Sequence, residues 1–376
     1  MASTELSTLL DRLADIESAS FPFISLYLNA QPNERGRDRH ETFVRTELGE
    51  RAASYIDDAE ARASVTHDLD RIQHWLSNEL RPSSNGAAIF ACSGSGIFEA
   101  IQVAAAIDEN LLFMGDRPHL YPLARLDARY PRYAALVCDT NHARIFVFAT
   151  GAVEKVDEVQ SEKTRRHDMG GWSQARFQRR IDNLHKAHIQ DAVDALDRIV
   201  RAEDVAHVLV TGNDVSLPII EECLTQPLRE RLADVLRLDA KAPERDVLER
   251  TLEAMRRNDA ESDQDKVDEL MNAYRSGGLG VVGFDRTRRA LENGQVDELV
   301  LSASLVQLEG VHGIEPALAE ADDRGDLEPV EKVDTALKAD ELVAIARQTD
   351  ATITFIEDPS LLARVGGVGA MLRYKT

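Results

Sequence analysis

Apolar residues recur along this chain in two rhythms, one helical and one extended. Leu6, Leu9, Leu10, Leu13 and Ile16 fall three or four apart, which predicts an amphipathic helix over 5–17. The run Pro22 to Asn29 predicts a strand. A charged loop at 30–40 precedes two predicted helices, about 41–55 and 59–80. The cluster Pro82-Ser-Ser-Asn-Gly86 reads as a turn before paired strands at 87–91 and 96–103. A further strand is expected at 118–126, and the first domain should end near Tyr130-Pro131.

Beyond Pro131 the pattern changes. Segments 133–139, 143–149 and 152–159, divided by turns at 139–142 and 150–151, predict a three-stranded meander. A long helix is expected over 173–202, with apolar positions Phe177, Ile181, Leu184, Ala187 or His188, Ala192, Ala195 and Ile199. Val205 to Thr211 reads as a buried strand, and helices at 215–233 and 243–258 flank a strand-like 235–238. The polar stretch 257–266 is either a linker or a continuing exposed helix. After a helix to Tyr274 come a glycine run, a helix at 286–293 and a strand at 298–302. A variable region at 305–335, a helix at 338–348, a strand at 351–356 and a glycine-rich strand to Tyr374 complete the chain. The expectation is an α/β (α+β) protein with mixed sheets flanked by helices, in domains 1–130, 131–260 and 261–376.

Charge sharpens this picture. Lys plus Arg number 44 against 66 Asp plus Glu, a net charge of −22, which argues against a nonspecific nucleic-acid coat because phosphate binding rests on cations. Residues 161–190 run the other way, with seven Lys or Arg against three Asp or Glu. Such a basic patch on an acidic body concentrates the field at one place; the plainer alternative is a solvated, salt-bridged helix. No eighteen-residue apolar run and no basic, apolar N-terminal leader is present, so a cytoplasmic protein with no membrane partner is expected. Cys92, Cys138 and Cys223 are too scattered for a disulfide framework or metal pair.

The basic patch holds the chain's most distinctive stretch, His167 to Arg180. Gly170 and Gly171 permit backbone angles closed to other residues and let a backbone approach a partner. Ser173 is a candidate N-cap, and a helix N-terminus favours anions. Arg176, Arg179 and Arg180 share one helical face, behind Arg165, Arg166 and His167. A flexible tip followed by an arginine-bearing helix suits a phosphate-rich cleft. Other motifs count for less. Gly278-Leu-Gly-Val-Val-Gly283 spells a dinucleotide fingerprint but follows a helix, not a strand. His185 and His188 lack a third ligand for zinc. No metal or cofactor is expected.

At this point the chain resembles the archaeal and eukaryotic class-I peptide release factors and their paralogue Pelota, including bacterial members of that superfamily. The resemblance runs through Leu9-Leu-Asp-Arg-Leu13, Ile24-Ser-Leu-Tyr-Leu28 and Asn85-Gly-Ala-Ala-Ile-Phe90. It continues in Gly170-Gly171 with Ser173, Arg176 and Phe177, and in Val208-Leu-Val-Thr-Gly212. It ends in Arg288 to Gly294, Val296 to Val300 and Gly366 to Tyr374. Shared order and spacing give these fragments their weight. The resemblance implies a three-domain release-factor/Pelota-like architecture occupying the ribosomal A site, its middle domain near the peptidyl-transferase centre and rRNA. It further implies peptidyl-tRNA and a translational GTPase as partners.

Two departures bear on activity. In the family a glutamine of the Gly-Gly-Gln loop positions water against the peptidyl-tRNA ester, and Trp172 stands in its place. An indole offers one N–H donor and no acceptor, and losing a water-positioning group costs ~10²–10⁴ in rate. The backbone N–H at 172 remains for a developing oxyanion, and Gln174 is a candidate amide two residues on. Trp172 could instead stack on an unpaired base, worth about 1–3 kcal/mol, or pack against its own domain. The Asn-Ile-Lys-Ser and Tyr-x-Cys-x-x-x-Phe motifs of stop-codon reading are missing. The expectation is an A-site factor of ribosome rescue, quality control or hibernation without codon-specific termination. Its alternatives are a peptidyl-tRNA hydrolase using Gly170, Gly171, Trp172 and Gln174, and a ribosome-independent RNA or protein adaptor.

Overall fold

The computed structural model describes residues 2–16, 18–31, 43–47, 49–50, 58–81, 84–160, 174–203, 205–304 and 329–375. Helix α1 (Ala2–Ala14) buries Leu6, Leu9, Leu10 and Leu13, the residues its spacing places on one face. Strands β1 (Phe23–Asn29), β2 (Gly86–Cys92), β3 (Ile97–Val103) and β4 (Leu111–Gly115) form an antiparallel sheet in the order β3-β2-β1-β4. Alternate residues Ile24, Leu26, Leu28, Ala87, Ile89 and Ala91 meet Val65, Ile72 and Trp75 of α2 (Ala59–Asn78). Asp58 starts α2 by accepting the Glu60 and Ala61 N–H groups.

The strand expected at 118–126 is instead helix α3 (Tyr121–Arg129), burying Tyr121, Leu123, Ala124 and Leu126. The second neighbour of β1, beside β2, is β4, which the sequence pattern did not mark. Pro122 suits a first helical turn, and the Leu120 and Tyr121 amides are both accepted by Asp340. A cap so distant in sequence leaves no local pattern to read.

Strands β5 (Tyr133–Cys138), β6 (His142–Ala149) and β7 (Ala152–Gln160) form the antiparallel meander. Helix α4 (Gln174–Ala202) then crosses to β8 (His207–Gly212), parallel to β5. Helices α5 (Ser216–Cys223) and α6 (Gln226–Glu230) lead to β9 (Leu232–Arg237), giving the order β7-β6-β5-β8-β9. One face of this sheet, through Ala134, Leu136 and Cys138, packs on α4; the other, through Tyr133, Ala135 and Val137, packs on α7 (Glu244–Arg275). The polar stretch 257–266 is the middle of α7, so the helical alternative holds there.

The second half of α7 places Val267 and Leu270 against Val282, Val300 and Ile356 of a third sheet. That sheet contains β10 (Gly280–Val282), β11 (Val296–Ser302), β12 (Thr352–Ile356) and β13 (Val368–Leu372), ordered β10-β13-β11-β12. Helix α8 (Phe284–Glu292) follows β10, and α9 (Pro329–Gln348) precedes β12, which is parallel to β11. The glycine run here serves packing. A Cβ on Gly280 would lie 2.6 Å from the Tyr274 backbone nitrogen, and Gly283 enters α8 at φ 85°. The chain divides into two compact units, 130–259 with 1–3, and 4–129 with 260–376. Among the described residues no helix is long and apolar enough to cross a membrane.

Candidate functional site

Every candidate residue lies on the path from β7 to α4. Strand β7 is the sheet edge, ending where Gln160 pairs with His142. Helix α4 begins at Gln174. Arg165, Arg166, His167, Gly170, Gly171 and Trp172 belong to the intervening segment and lie outside the described residues. Gln174 opens α4, and Arg176, Arg179 and Arg180 fall on the helical backbone of its first two turns. Spacings of three and four along a helix place those three on one face.

Helix α4 is anchored at one end. Ile189, Ala192, Val193, Leu196 and Val200 are buried against β5, β6 and β8. Towards the N-terminus the character changes: Leu184 is 41% exposed, and Lys186 reaches sideways to Glu222 at 2.6 Å. His188 is the first buried residue described along the helix. Residues 174–187 form about 21 Å of helix ahead of His188. Leu184, one of the apolar positions of the predicted helix, is exposed, while Ile181 is half-buried.

His188 marks that transition. It is 3% exposed, and neither ring nitrogen meets a hydrogen-bond partner of proper geometry, although the His142 backbone lies close. Burial pushes its pKa down, while the carboxylates of Asp139 and Asp191 oppose the shift. Asp139 shapes the opposing turn by accepting the Asn141 and His142 N–H groups at 2.6 and 2.7 Å. Asp139 was not singled out in the sequence, although Asp opening an Asp-Thr-Asn-His turn is a recognisable Asx pattern. Burial raises the Cys138 thiol to about 12 with help from Asp139, so it is no nucleophile at neutral pH.

A family model described as bacterial archaeo-eukaryotic release factor family 10 matches residues 118–256, and one for eRF1 domain 3 matches 246–376. A peptide chain release factor subunit 1 of Archaeoglobus fulgidus is 24% identical, across 99% of this chain and 97% of that protein. The crystal structure of Archaeoglobus fulgidus Pelota is 14% identical with a TM-score of 0.34, covering 79% of this chain and 82% of its own. Dom34 of S. cerevisiae, described as a translation termination-like factor, is 9% identical with a TM-score of 0.44, covering 77% of this chain and 79% of its own. Between them the two family models span 118–376, and the sequence alignment reaches both ends: the chain belongs to the release factor/Pelota superfamily.

Proposed function

We propose that this protein is a translation factor that binds the ribosomal A site and acts in rescue, quality control or hibernation of ribosomes, without reading stop codons. The observation that carries the proposal is the sequence Gly170-Gly171-Trp172 in the connection between β7, a strand at the edge of its sheet, and the N-terminus of α4, with Arg176, Arg179 and Arg180 following on that helix. A diglycine held ahead of a cationic helix suits a phosphate-lined channel. Relatives named peptide chain release factor subunit 1, aligned over nearly the whole chain, support the ribosome as partner. Contact with rRNA falls to Arg165, Arg166, His167, Arg176, Arg179 and Arg180. Trp172 in the glutamine position turns the tip from positioning water towards stacking.

Co-sedimentation with ribosomes across a salt series tests this. Binding should weaken with salt, and replacing Arg176, Arg179 and Arg180 by Gln should flatten the log–log slope by about 0.7 for each phosphate that the helix ceases to neutralise. Absence from ribosomal fractions at low salt rejects the proposal.

The position of Gln174 as the first residue of α4 favours one second reading. In it Gln174 and the backbone N–H at 172 support water attack on the peptidyl-tRNA ester, breaking the bond to the ribose oxygen. Nascent-chain release that falls at least tenfold in Gly171→Ala and Gln174→Ala supports hydrolysis; equal release by wild type and both variants removes it.

A further inference from the structure

Helix α3 takes its N-terminal cap from the far end of the chain. The Leu120 and Tyr121 N–H groups donate to Asp340 Oδ1 at 2.7 and 2.8 Å, from a position 220 residues away on α9. His119 Nδ1 lies 2.7 Å from the other oxygen, and these two side chains are 2% and 9% exposed. The same short segment is tied to β1: His119 N–H donates to Ser25 Oγ at 2.9 Å, and the Tyr27 hydroxyl donates to the His119 carbonyl. The Tyr121 hydroxyl donates to the Ser302 carbonyl at 2.6 Å, at the end of β11.

The surrounding contacts are weaker. Arg347 meets Asp11 and Ser7 of α1, and Arg125 meets Glu357, in pairs that are partly open to solvent; exposed pairs of this kind contribute little. A cavity of about 420 Å³, bounded by Leu10, Ala124, Asp127, Arg347 and Ile353, interrupts the packing of α1 and α3 against α9 and β12. A dry, fully bonded pin thus stands beside a loosely packed margin.

We propose that Asp340 is a latch. Withdrawing α9 uncaps α3, so the helical state of α3 and the union of residues 4–129 with 260–376 are a single equilibrium. Removing the carboxylate strands three donors, and each half of the seam loses protection in the same event. Any binding event that displaces α9 is then felt at α3 without a change of sequence-local contacts.

Hydrogen exchange of the full-length chain tests this in Asp340→Ala, Asp340→Asn and His119→Gln. In Asp340→Ala, segments 118–129 and 336–348 should exchange about five- to thirtyfold faster, the range expected when a helix loses its N-cap. The two segments should accelerate by the same factor, with smaller paired effects in Asp340→Asn and His119→Gln. Strands β5 and β8 should keep their protection. Acceleration of one segment without the other, no acceleration, or equal acceleration of β5 and β8 overturns the latch. If Asp340→Ala does not fold, the two milder variants decide by the same pairing.

Discussion

Two histidines are buried among the described residues, and their surroundings could hardly differ more. His119 is 1% exposed and lies 2.7 Å from a carboxylate that also accepts two backbone amides. His188 is 3% exposed and has neither ring nitrogen satisfied. Burying a polar group without partners costs free energy that burying a bonded one does not. In the body of 4–129 and 260–376, polar burial joins segments far apart in sequence. In the unit of 130–259 an unsatisfied ring sits on α4 beside the β5–β6 turn. The first arrangement resists opening; the second costs stability at that turn of α4.

The largest effect should come from breaking the bonded side. Asp340→Ala leaves His119 and the amides of Leu120 and Tyr121 without an acceptor in a buried site, and should cost about 2 kcal/mol in urea unfolding. A loss below about 1 kcal/mol would show that water replaces the carboxylate freely and that the two histidines are not so different.

A smaller change should follow at the cavity beside the latch. Burial raises the Asp127 carboxyl to about 6, with Arg347 opposing and Asp11 adding to the shift. Its folded pKa exceeds the unfolded 3.8, so the native state holds the extra proton between those values. Stability should therefore fall as pH rises from about 4 to 6 and stay reduced above that. Asp127→Asn should remove the slope and stabilise the chain at pH 7 by about 1–2 kcal/mol, less than the full shift implies because the site is partly wet. Thermal unfolding at pH 4.5 and 7 reads both quantities; an unchanged difference between the two pH values refutes the assignment.

The sequence disclosed these regions unequally. The middle sheet was legible because β5 and β6 are short apolar runs bounded by turn residues, β7 follows the Thr150-Gly151 turn, and β8 is the largely apolar kind that parallel sheets bury. The diglycine and its arginines stood out by composition alone. Helix α3 was misread because its apolar residues suit either period and its cap lies on α9. The continuity of α7 through 257–266 stayed open, since a helix exposed in mid-course has the composition of a linker. Leu184 shows a further limit: periodicity tells which residues share an apolar face, not which of them a core receives.

The smallest expected effect is the most informative about α4. His188→Leu replaces an unsatisfied ring by an apolar side chain of similar bulk, facing Asp139 and His142 from the β5–β6 turn and Asp191 on its own helix. At pH 7.5 the side chain at 188 is neutral in both forms, so the variant should gain only about 1 kcal/mol. Acid separates them. The folded pKa of His188 lies below the ordinary 6.5, so the unfolded chain binds the proton first. Wild-type stability is then whole above 6.5 and declines as pH falls through that value, a decline the leucine variant should lack. Amide exchange along 183–200 at pH 5.5 localises it: the wild type should loosen there and the variant should not. If both loosen alike, the acid response belongs to the nearby carboxylates, and the unpaired ring is not what weakens the base of α4.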